Sequence, residues 1–204
     1  MTLGDRFAGI MEAARRGDEQ AIAALYLDVN PGLLRYLQIR EPQEAEDLCS
    51  EVWMQLARRL PRFEGNEIQW WGFVFLVARR CLNDHWKRRR RRRTDTVAPE
   101  SLADRPDLVD VEASGVLSVA TAEAVAFVTS SLTREQADVV LLRVMVGLDV
   151  EEVALAIGKR AGTVRVIQHR ALRRLAKRLS AGKEEASAGG LTVAAHPLLD
   201  WREN

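Results

Sequence analysis

Four side chains in the carboxyl-terminal part of the chain have the types and spacing of a surface that reads DNA bases. Arg165, Val166, His169 and Arg170 occupy positions i, i+1, i+4 and i+5, so an α-helix places them on one side. Arginine can pair with a guanine edge through two hydrogen bonds, histidine can donate or accept one, and valine can contact a thymine methyl group. Thr163, near the start of the same segment, is suited to bind a phosphate.

A second group combines aromatic rings with a run of positive charge. Five of the 12 aromatic side chains of the chain lie within 17 residues: Trp70, Trp71, Phe73, Phe75 and Trp86. Seven consecutive basic residues, 87–93, follow them. Rings beside a cationic helix can stack on unpaired bases, although we expect about half of these rings to lie in the core.

The other reactive side chains do not form a catalytic or metal-binding set. His85, His169 and His196 are far apart and show no metal-ligand spacing with Cys49 or Cys81. The two cysteines are expected to be buried thiols of a protein that stays in the reducing cytoplasm. We therefore predict that the chain is not an enzyme and uses no cofactor and no metal.

A short helix, a tight turn and a longer helix are predicted to position the base-reading group. Asp149 and Glu152 have the spacing of a helix-capping box, and Gly158 is expected to end that helix after Ile157. A second helix begins near Ala161 and has an apolar face: Val164, Ile167, Ala171, Leu172, Leu175 and Leu179. This arrangement is typical of a helix-turn-helix unit, whose second helix enters the major groove. The alternative is a helical bundle whose surface arginines are only solvated.

Two further helices are predicted just before this unit. The first covers about residues 116–129. The second begins at a capping box formed by Thr133 and Gln136, and it runs through Val144 to a stop at Gly147.

The first half of the chain is also predicted to be helical. Asp18 can cap a helix in which Pro31 forces a kink or a break. Acidic residues from Glu44 onward load the first turn of the next helix, the end that favours negative charge. Its apolar face consists of Leu48, Val52, Leu56 and Leu60. Residues 62–69 are predicted to form a loop, and residues 70–86 a third helix.

The helical patterns predict an all-α fold of two small helical domains, and charge divides the chain into four segments. Residues 1–93 hold 17 basic and 13 acidic side chains, residues 94–132 hold one and seven, residues 133–182 hold ten and five, and residues 183–204 hold two and four. We expect a first domain over 1–93, a flexible acidic linker over 94–115, a second domain over 116–182 and a tail over 183–204. Cationic domains attract phosphate backbones. No apolar run is long enough for membrane insertion.

In this order, the segments resemble an extracytoplasmic-function (ECF) sigma factor of the sigma-70 family. Residues 23–37 resemble region 2.1, residues 44–56 region 2.2, residues 70–93 regions 2.3 and 2.4, and residues 131–179 region 4. The resemblance implies an alternative sigma factor that binds core RNA polymerase and directs transcription initiation from its own promoters. It covers about three quarters of the chain.

The resemblance also implies site residues. Six would contact the β′ clamp of core RNA polymerase: Asp47, Leu48, Glu51, Val52, Trp53 and Leu56. Six would contact the −10 promoter element: Trp70, Arg79, Arg80, Asn83, Asp84 and Lys87. Residues 64–69 would grip an extruded base. The −35 element would be contacted by Thr163, Arg165, Val166, His169 and Arg170.

The partners implied by the resemblance are core RNA polymerase, through its β′ clamp and β flap, promoter DNA and an anti-sigma factor. The alternative function is a helix-turn-helix regulator that acts without polymerase. Such a regulator would need a ligand pocket or a phosphoacceptor within residues 1–93, and the sequence shows no such constellation there.

Overall fold

The computed structural model describes residues 3–94 and 119–188. Within these ranges the chain is all-α, as predicted, and contains no strand. The helices are α1 (Phe7–Arg15), α2 (Glu19–Arg40), α3 (Ala45–Arg59), α4 (Glu67–Thr94), α5 (Val119–Ser131), α6 (Arg134–Leu141), α7 (Val150–Ile157) and α8 (Ala161–Ala188). No helix in the described ranges has the length and apolar character needed to cross a membrane.

Side-chain caps fix where several helices begin, and the sequence predicted three of them. The backbone N–H of Ala21 donates to Asp18 Oδ1 over 2.8 Å at the start of α2. At α7, Asp149 and Glu152 each accept a hydrogen bond from the other's backbone N–H over 2.7 Å. α6 begins with the same reciprocal arrangement at Thr133. These contacts satisfy N–H groups that have no partner within the helix.

The predicted bounds of α4 are wrong at both ends. The helix begins at Glu67, inside the predicted loop, because Asn66 and Gln69 form another reciprocal cap over 2.8 and 2.9 Å. It also continues through the basic run to Thr94. The Asn66-x-x-Gln69 spacing was not among the predicted caps, although it carries the same signal as they do.

Of the kink or break that was predicted at Pro31, the break is wrong, because α2 runs without interruption from Glu19 to Arg40. Proline removes the hydrogen bond to the carbonyl of Leu27. The Leu27 side chain is 71% exposed, which places that part of the helix beside water. Val29 and Leu33, on either side of the proline, are both 0% exposed. Packing of these side chains therefore keeps the two segments in one helix.

In the second half of the chain, a π-helical turn and two left-handed glycines set the path between α6 and α8. Leu142–Val146 form a π-turn that ends at Gly147, with φ of 85°. Val144, through which the helix from Thr133 was predicted to run, lies in this wider turn and is 60% exposed. Gly158, with φ of 69°, ends α7 as predicted.

The two helical groups, α1–α4 and α5–α8, pack directly against each other. Their largest mutual contact joins α4 and α7. A Cβ atom built on Gly72 of α4 would lie 2.4 Å from the Cβ atom of Leu155 in α7. Only a residue without a side chain allows this approach of the two helices. Two domains were predicted from the sequence, but the contact between α4 and α7 was not.

Residues 95–115 of the predicted linker, residues 116–118 of the predicted second domain and residues 189–204 of the predicted tail lie outside the described residues. Thr94, which was assigned to the linker, is the last residue of α4. Residues 183–188, which were assigned to a weakly ordered tail, continue α8 to Ala188. The last helix of the predicted second domain therefore continues past residue 182.

Replacing the cap of α7 should destabilise the second domain. Asp149→Ala removes the side-chain acceptor at the helix start and should lower the free energy of unfolding by about 0.5–2 kcal/mol. Asp149→Asn keeps an acceptor and should stay close to the parent protein. Urea unfolding followed by circular dichroism measures both. Equal losses in the two variants would contradict a capping role.

Candidate nucleic-acid interface

The helix-turn-helix predicted for the carboxyl-terminal half is present as α7, the turn at Gly158 and α8. The turn is closed by a hydrogen bond from the Lys159 N–H to the Ala154 carbonyl over 2.9 Å. On α8, Val164 and Ala171 are 0% exposed and face the core. These buried positions fix which side of α8 is turned to solvent.

All five residues predicted for the −35 element lie on the exposed part of α8: Thr163, Arg165, Val166, His169 and Arg170. Val166 is 48% exposed although it is apolar. Arg165 Nη2 lies 3.2 Å from Glu151 Oε1, an exposed ion pair that contributes little stability. The structure therefore brings these five residues together on one exposed side of α8, with two arginines among them.

The residues predicted for the −10 element divide into exposed and covered ones. Four of them are exposed along α4: Arg80, Asn83, Asp84 and Lys87. Trp70 is 1% exposed, and its ring centroid lies 5.3 Å from Phe63 and 6.3 Å from Phe73. In this conformation Trp70 is part of the core and cannot meet DNA.

The predicted base-gripping segment, residues 64–69, is only partly a loop. Its last three residues belong to α4, and Glu67 is already engaged. The Glu67 carboxylate accepts the backbone N–H groups of Leu3 and Gly4 over 2.6 and 3.0 Å. Glu64, Gly65 and Asn66 remain exposed in front of the helix, so these three residues form the open part of the segment.

The α3 residues predicted for polymerase binding also divide into two groups. Leu48, Val52 and Leu56 are 3%, 0% and 1% exposed, so here they hold α3 on the bundle and present no surface. Asp47 is exposed, and Glu51 is partly exposed.

Trp53, the remaining one of the predicted α3 residues, is half-buried, and its neighbour Met54 was not predicted. Its Nε1 donates to Asn30 Oδ1 over 2.9 Å, and its ring lies 4.8 Å from Tyr26. Met54, which is 57% exposed, was not predicted. Its position seven residues after Asp47 places it on the same helical stripe, a signal that the sequence already contained.

A groove of about 480 Å³ lies between the acidic start of α3 and the basic end of α4. Asp47 and Glu51 line one side of it, and Arg88 lies on the other. Arg88 Nη2 is 3.4 Å from Glu51 Oε2. At the base of the groove, the buried Glu41 accepts hydrogen bonds from Trp86 Nε1 over 2.9 Å and from Arg89 over 2.8 Å. Part of the basic run therefore neutralises acidic residues of its own domain.

A buried charge cluster joins the two helical groups. The Asp138 carboxylate of α6 accepts Tyr36 Oη over 2.8 Å and Arg79 Nε over 2.9 Å, and Arg40 Nε lies 3.3 Å away. Arg79 also donates to the Ala156 carbonyl over 3.1 Å. Burial, together with the Asp138 charge, raises the pKa of Tyr36 well above its usual range. Burial opposes the charged form of Arg79, but Asp138, Tyr36 and Glu135 together outweigh burial and raise the pKa of Arg79.

A second bridge between the groups lies beside this cluster. The Trp86 ring has the Arg40 guanidinium 5.0 Å from its centroid and the Arg134 guanidinium 4.7 Å from it. Arg134 is the first residue of α6, whereas Trp86 and Arg40 belong to the first helical group. Two cations therefore lie against one ring, which favours them through its electron-rich faces.

Comparisons with known proteins agree on one family. A sequence profile described as ECF sigma factor matches residues 5–180. The chain is 34% identical over 175 residues to the ECF RNA polymerase sigma factor ShbA of Streptomyces griseus, covering 81% of this chain and 91% of that protein. It is 29% identical over 197 residues to SigD of Mycobacterium tuberculosis, covering 92% and 87%.

Two solved structures share the fold. One is CnrH in complex with the cytosolic domain of CnrY, with a TM-score of 0.63, 17% identity and coverage of 87% of this chain and 99% of that one. The other is the sigma factor RpoE in complex with the anti-sigma factor NepR from Bartonella quintana, with a TM-score of 0.58, 24% identity and coverage of 78% and 96%. At these identities the likeness shows the helical architecture.

The two cysteines test the packing of α3 and α4. Both are buried, and Gln55 Nε2 donates to Cys81 Sγ over 3.2 Å. Burial raises the pKa of Cys81 to about 11. At pH 8 roughly one such thiol in a thousand is ionised, and the thiolate is the reactive form. Iodoacetamide should therefore label Cys81 only after urea unfolds the protein, as read by mass spectrometry. Rapid labelling of the folded protein at pH 8 would show that this side of α4 is open.

Proposed function

The chain belongs to the ECF sigma factor family, and from that premise we propose which of its surfaces meet polymerase and which meet promoter DNA. As an alternative sigma factor, it binds core RNA polymerase and directs promoter-specific transcription initiation. Family membership favours this function over a helix-turn-helix regulator that acts alone. Sigma factors are initiation factors and not enzymes, and we propose that this chain likewise has no catalytic activity and acts in the cytoplasm.

The proposed −35 contact is the exposed side of α8, and this observation carries the assignment of DNA binding. Arg165, Val166, His169 and Arg170 share one face of a helix that a shorter, capped helix holds in place. Two arginines on this face can each pair with a guanine. Thr163, at the helix start, is placed to bind the adjacent phosphate. The rest of the second domain is proposed to meet the β flap.

The proposed −10 contact is the exposed side of α4 with the open segment before it. Arg80, Asn83, Asp84 and Lys87 supply donors and acceptors along the helix. Residues 64–66 are proposed to hold an extruded base, which compensates for a few kcal/mol of lost stacking. Trp70 and Arg79 could join this surface only after a change of conformation, since Trp70 lies in the core and Arg79 is bound to Asp138.

The proposed contact with the β′ clamp is the solvent side of α3. Asp47, Glu51, Trp53 and Met54 are the members that reach the surface to some degree. Leu48, Val52 and Leu56, which were predicted as direct contacts, are proposed instead to support the helix from below, because they are buried. An apolar centre beside charged groups is common in protein interfaces.

We also propose that an anti-sigma factor binds and regulates this chain, by analogy with the sigma factor RpoE, which forms a complex with the anti-sigma factor NepR. The exposed apolar side chains Met54 and Val166 lie on surfaces proposed for polymerase and for DNA. Such groups tend to be covered when they are not in use. An inhibitor that covers both would block both steps of initiation.

Reversing two charges on α3 should separate polymerase binding from folding. Asp47→Lys together with Glu51→Lys should abolish co-purification with core polymerase, while circular dichroism stays unchanged because Asp47 is exposed and Glu51 is partly exposed. The control reverses two exposed acids elsewhere, Glu12→Lys and Glu123→Lys. Retained polymerase binding by the α3 variant would place the interface elsewhere.

Removing one arginine from α8 should alter promoter preference rather than general affinity. Arg165→Ala or Arg170→Ala should cost about 1–3 kcal/mol and relax preference at one or two positions of the −35 element. Arg174→Ala, at an exposed site further along α8, is the control. The measurement is transcription by the reconstituted holoenzyme from a library of genomic promoters. A uniform loss over all promoters would identify a phosphate contact instead.

A further inference from the structure

We propose that Tyr36, Arg40 and Arg79 form a binding site for a backbone phosphate of the opened DNA strand, and that Asp138 occupies this site while the two domains are packed together. The inference rests on the proposed function, because it places the site beside the proposed −10 surface of α4. The ligand class is a phosphodiester next to an unpaired base.

The three donors and the acceptor come from different domains. Tyr36 and Arg40 lie on α2 and Arg79 on α4, whereas Asp138 lies on α6. Their polar atoms lie 2.8, 3.3 and 2.9 Å from the carboxylate oxygens. A carboxylate and a phosphate present similar oxygen acceptors to guanidinium groups. The first domain therefore contains a complete anion site, and the second domain supplies its present occupant.

The donors have no other anion to bind if the domains separate. Among the residues that the structure describes, Asp138 is the one carboxylate within ion-pair distance of Arg40 or Arg79. The Arg40 side chain is 6% exposed, and its Nε makes no hydrogen bond within the described chain. A buried cation without a partner is strongly disfavoured. When Asp138 leaves, the binding of another anion to the two arginines is therefore favourable.

The surroundings of the site favour a single strand over a duplex. Arg40 is shared between Asp138 and the Trp86 ring, so the anion site and the ring are neighbours. Arg134 of the second domain covers that ring with a planar cation. When the second domain leaves, the ring loses this cover and can stack on an unpaired base next to the bound phosphate. In the packed form, Asp138 and Arg134 thus cover both positions.

Gly72 offers a way to open the domains without touching any charge. An alanine methyl there would meet the Leu155 Cβ at 2.4 Å and the Glu152 carbonyl oxygen at 3.1 Å. Alanine favours a helix more than glycine does, so α4 itself should not be weakened. Gly9→Ala in α1 is the matched control, because a Cβ atom there meets nothing within 4 Å.

The first experiment measures opening and binding in the full chain. The probe is a fluorescent single-stranded deoxyoligonucleotide of mixed sequence, compared with its duplex, and small-angle scattering gives the radius of gyration. Gly72→Ala and Asp138→Asn should both enlarge the molecule and bind the single strand about tenfold more tightly than the parent, whereas Gly9→Ala should do neither. An unchanged radius in both variants overturns the masking. Enlargement without tighter binding, or an equal gain for the duplex, overturns the phosphate site.

The second experiment asks whether the gain belongs to the named residues. Adding Arg40→Gln or Arg79→Gln to Gly72→Ala should return the affinity to the parent value. Adding Arg16→Gln, which removes an equal charge from an exposed site directly after α1, should leave most of the gain. Equal effects of the three additions would overturn the proposal. Transcription by the parent chain with core polymerase is scored separately, so failure there counts against the proposed function alone.

Discussion

The contact between the two halves of this molecule depends on one buried carboxylate that is satisfied by groups from both α2 and α4. A hydroxyl and two guanidinium groups surround the Asp138 carboxylate, and these contacts compensate for its burial. Several other features follow from this arrangement. Arg79 turns away from solvent, Arg134 reaches Trp86, and α7 comes close enough to α4 to require glycine at position 72.

The same helix, α4, serves the core and the surface, and the two roles are separated by helical position. Its Trp70, Val74 and Phe75 are buried, whereas Arg80 and Asn83 are exposed. An α-helix repeats every 3.6 residues, so its apolar residues must recur with that period to lie on the buried side, with the polar residues between them on the exposed side. The number of aromatic residues before the basic run is therefore weak evidence for a surface that stacks on bases. Most of them hold the helix in place.

Features encoded over a few residues could be predicted from the sequence, and features that join distant residues could not. The caps at Asp18, Thr133 and Asp149 and the exposed face of α8 follow from local spacing, and the structure contains all of them. The pairing of Asp138 with Tyr36 joins residues 102 positions apart, for which periodicity carries no signal. Family resemblance assigned Leu48 and Trp70 to partners, but their burial was already suggested by their apolar spacing.

The ion pair between Arg88 and Glu51 has a consequence for how polymerase association responds to salt. If a cation of the clamp takes the place of Arg88, one exposed pair is lost as another forms. Added salt screens both pairs to a similar degree. Association then replaces one ion-pair partner of Glu51 by another. Ionic strength should therefore affect the affinity for polymerase less than the number of charges on α3 suggests. In the proposed complex the displaced arginine would become available to the DNA backbone, and the two binding events would then be thermodynamically linked.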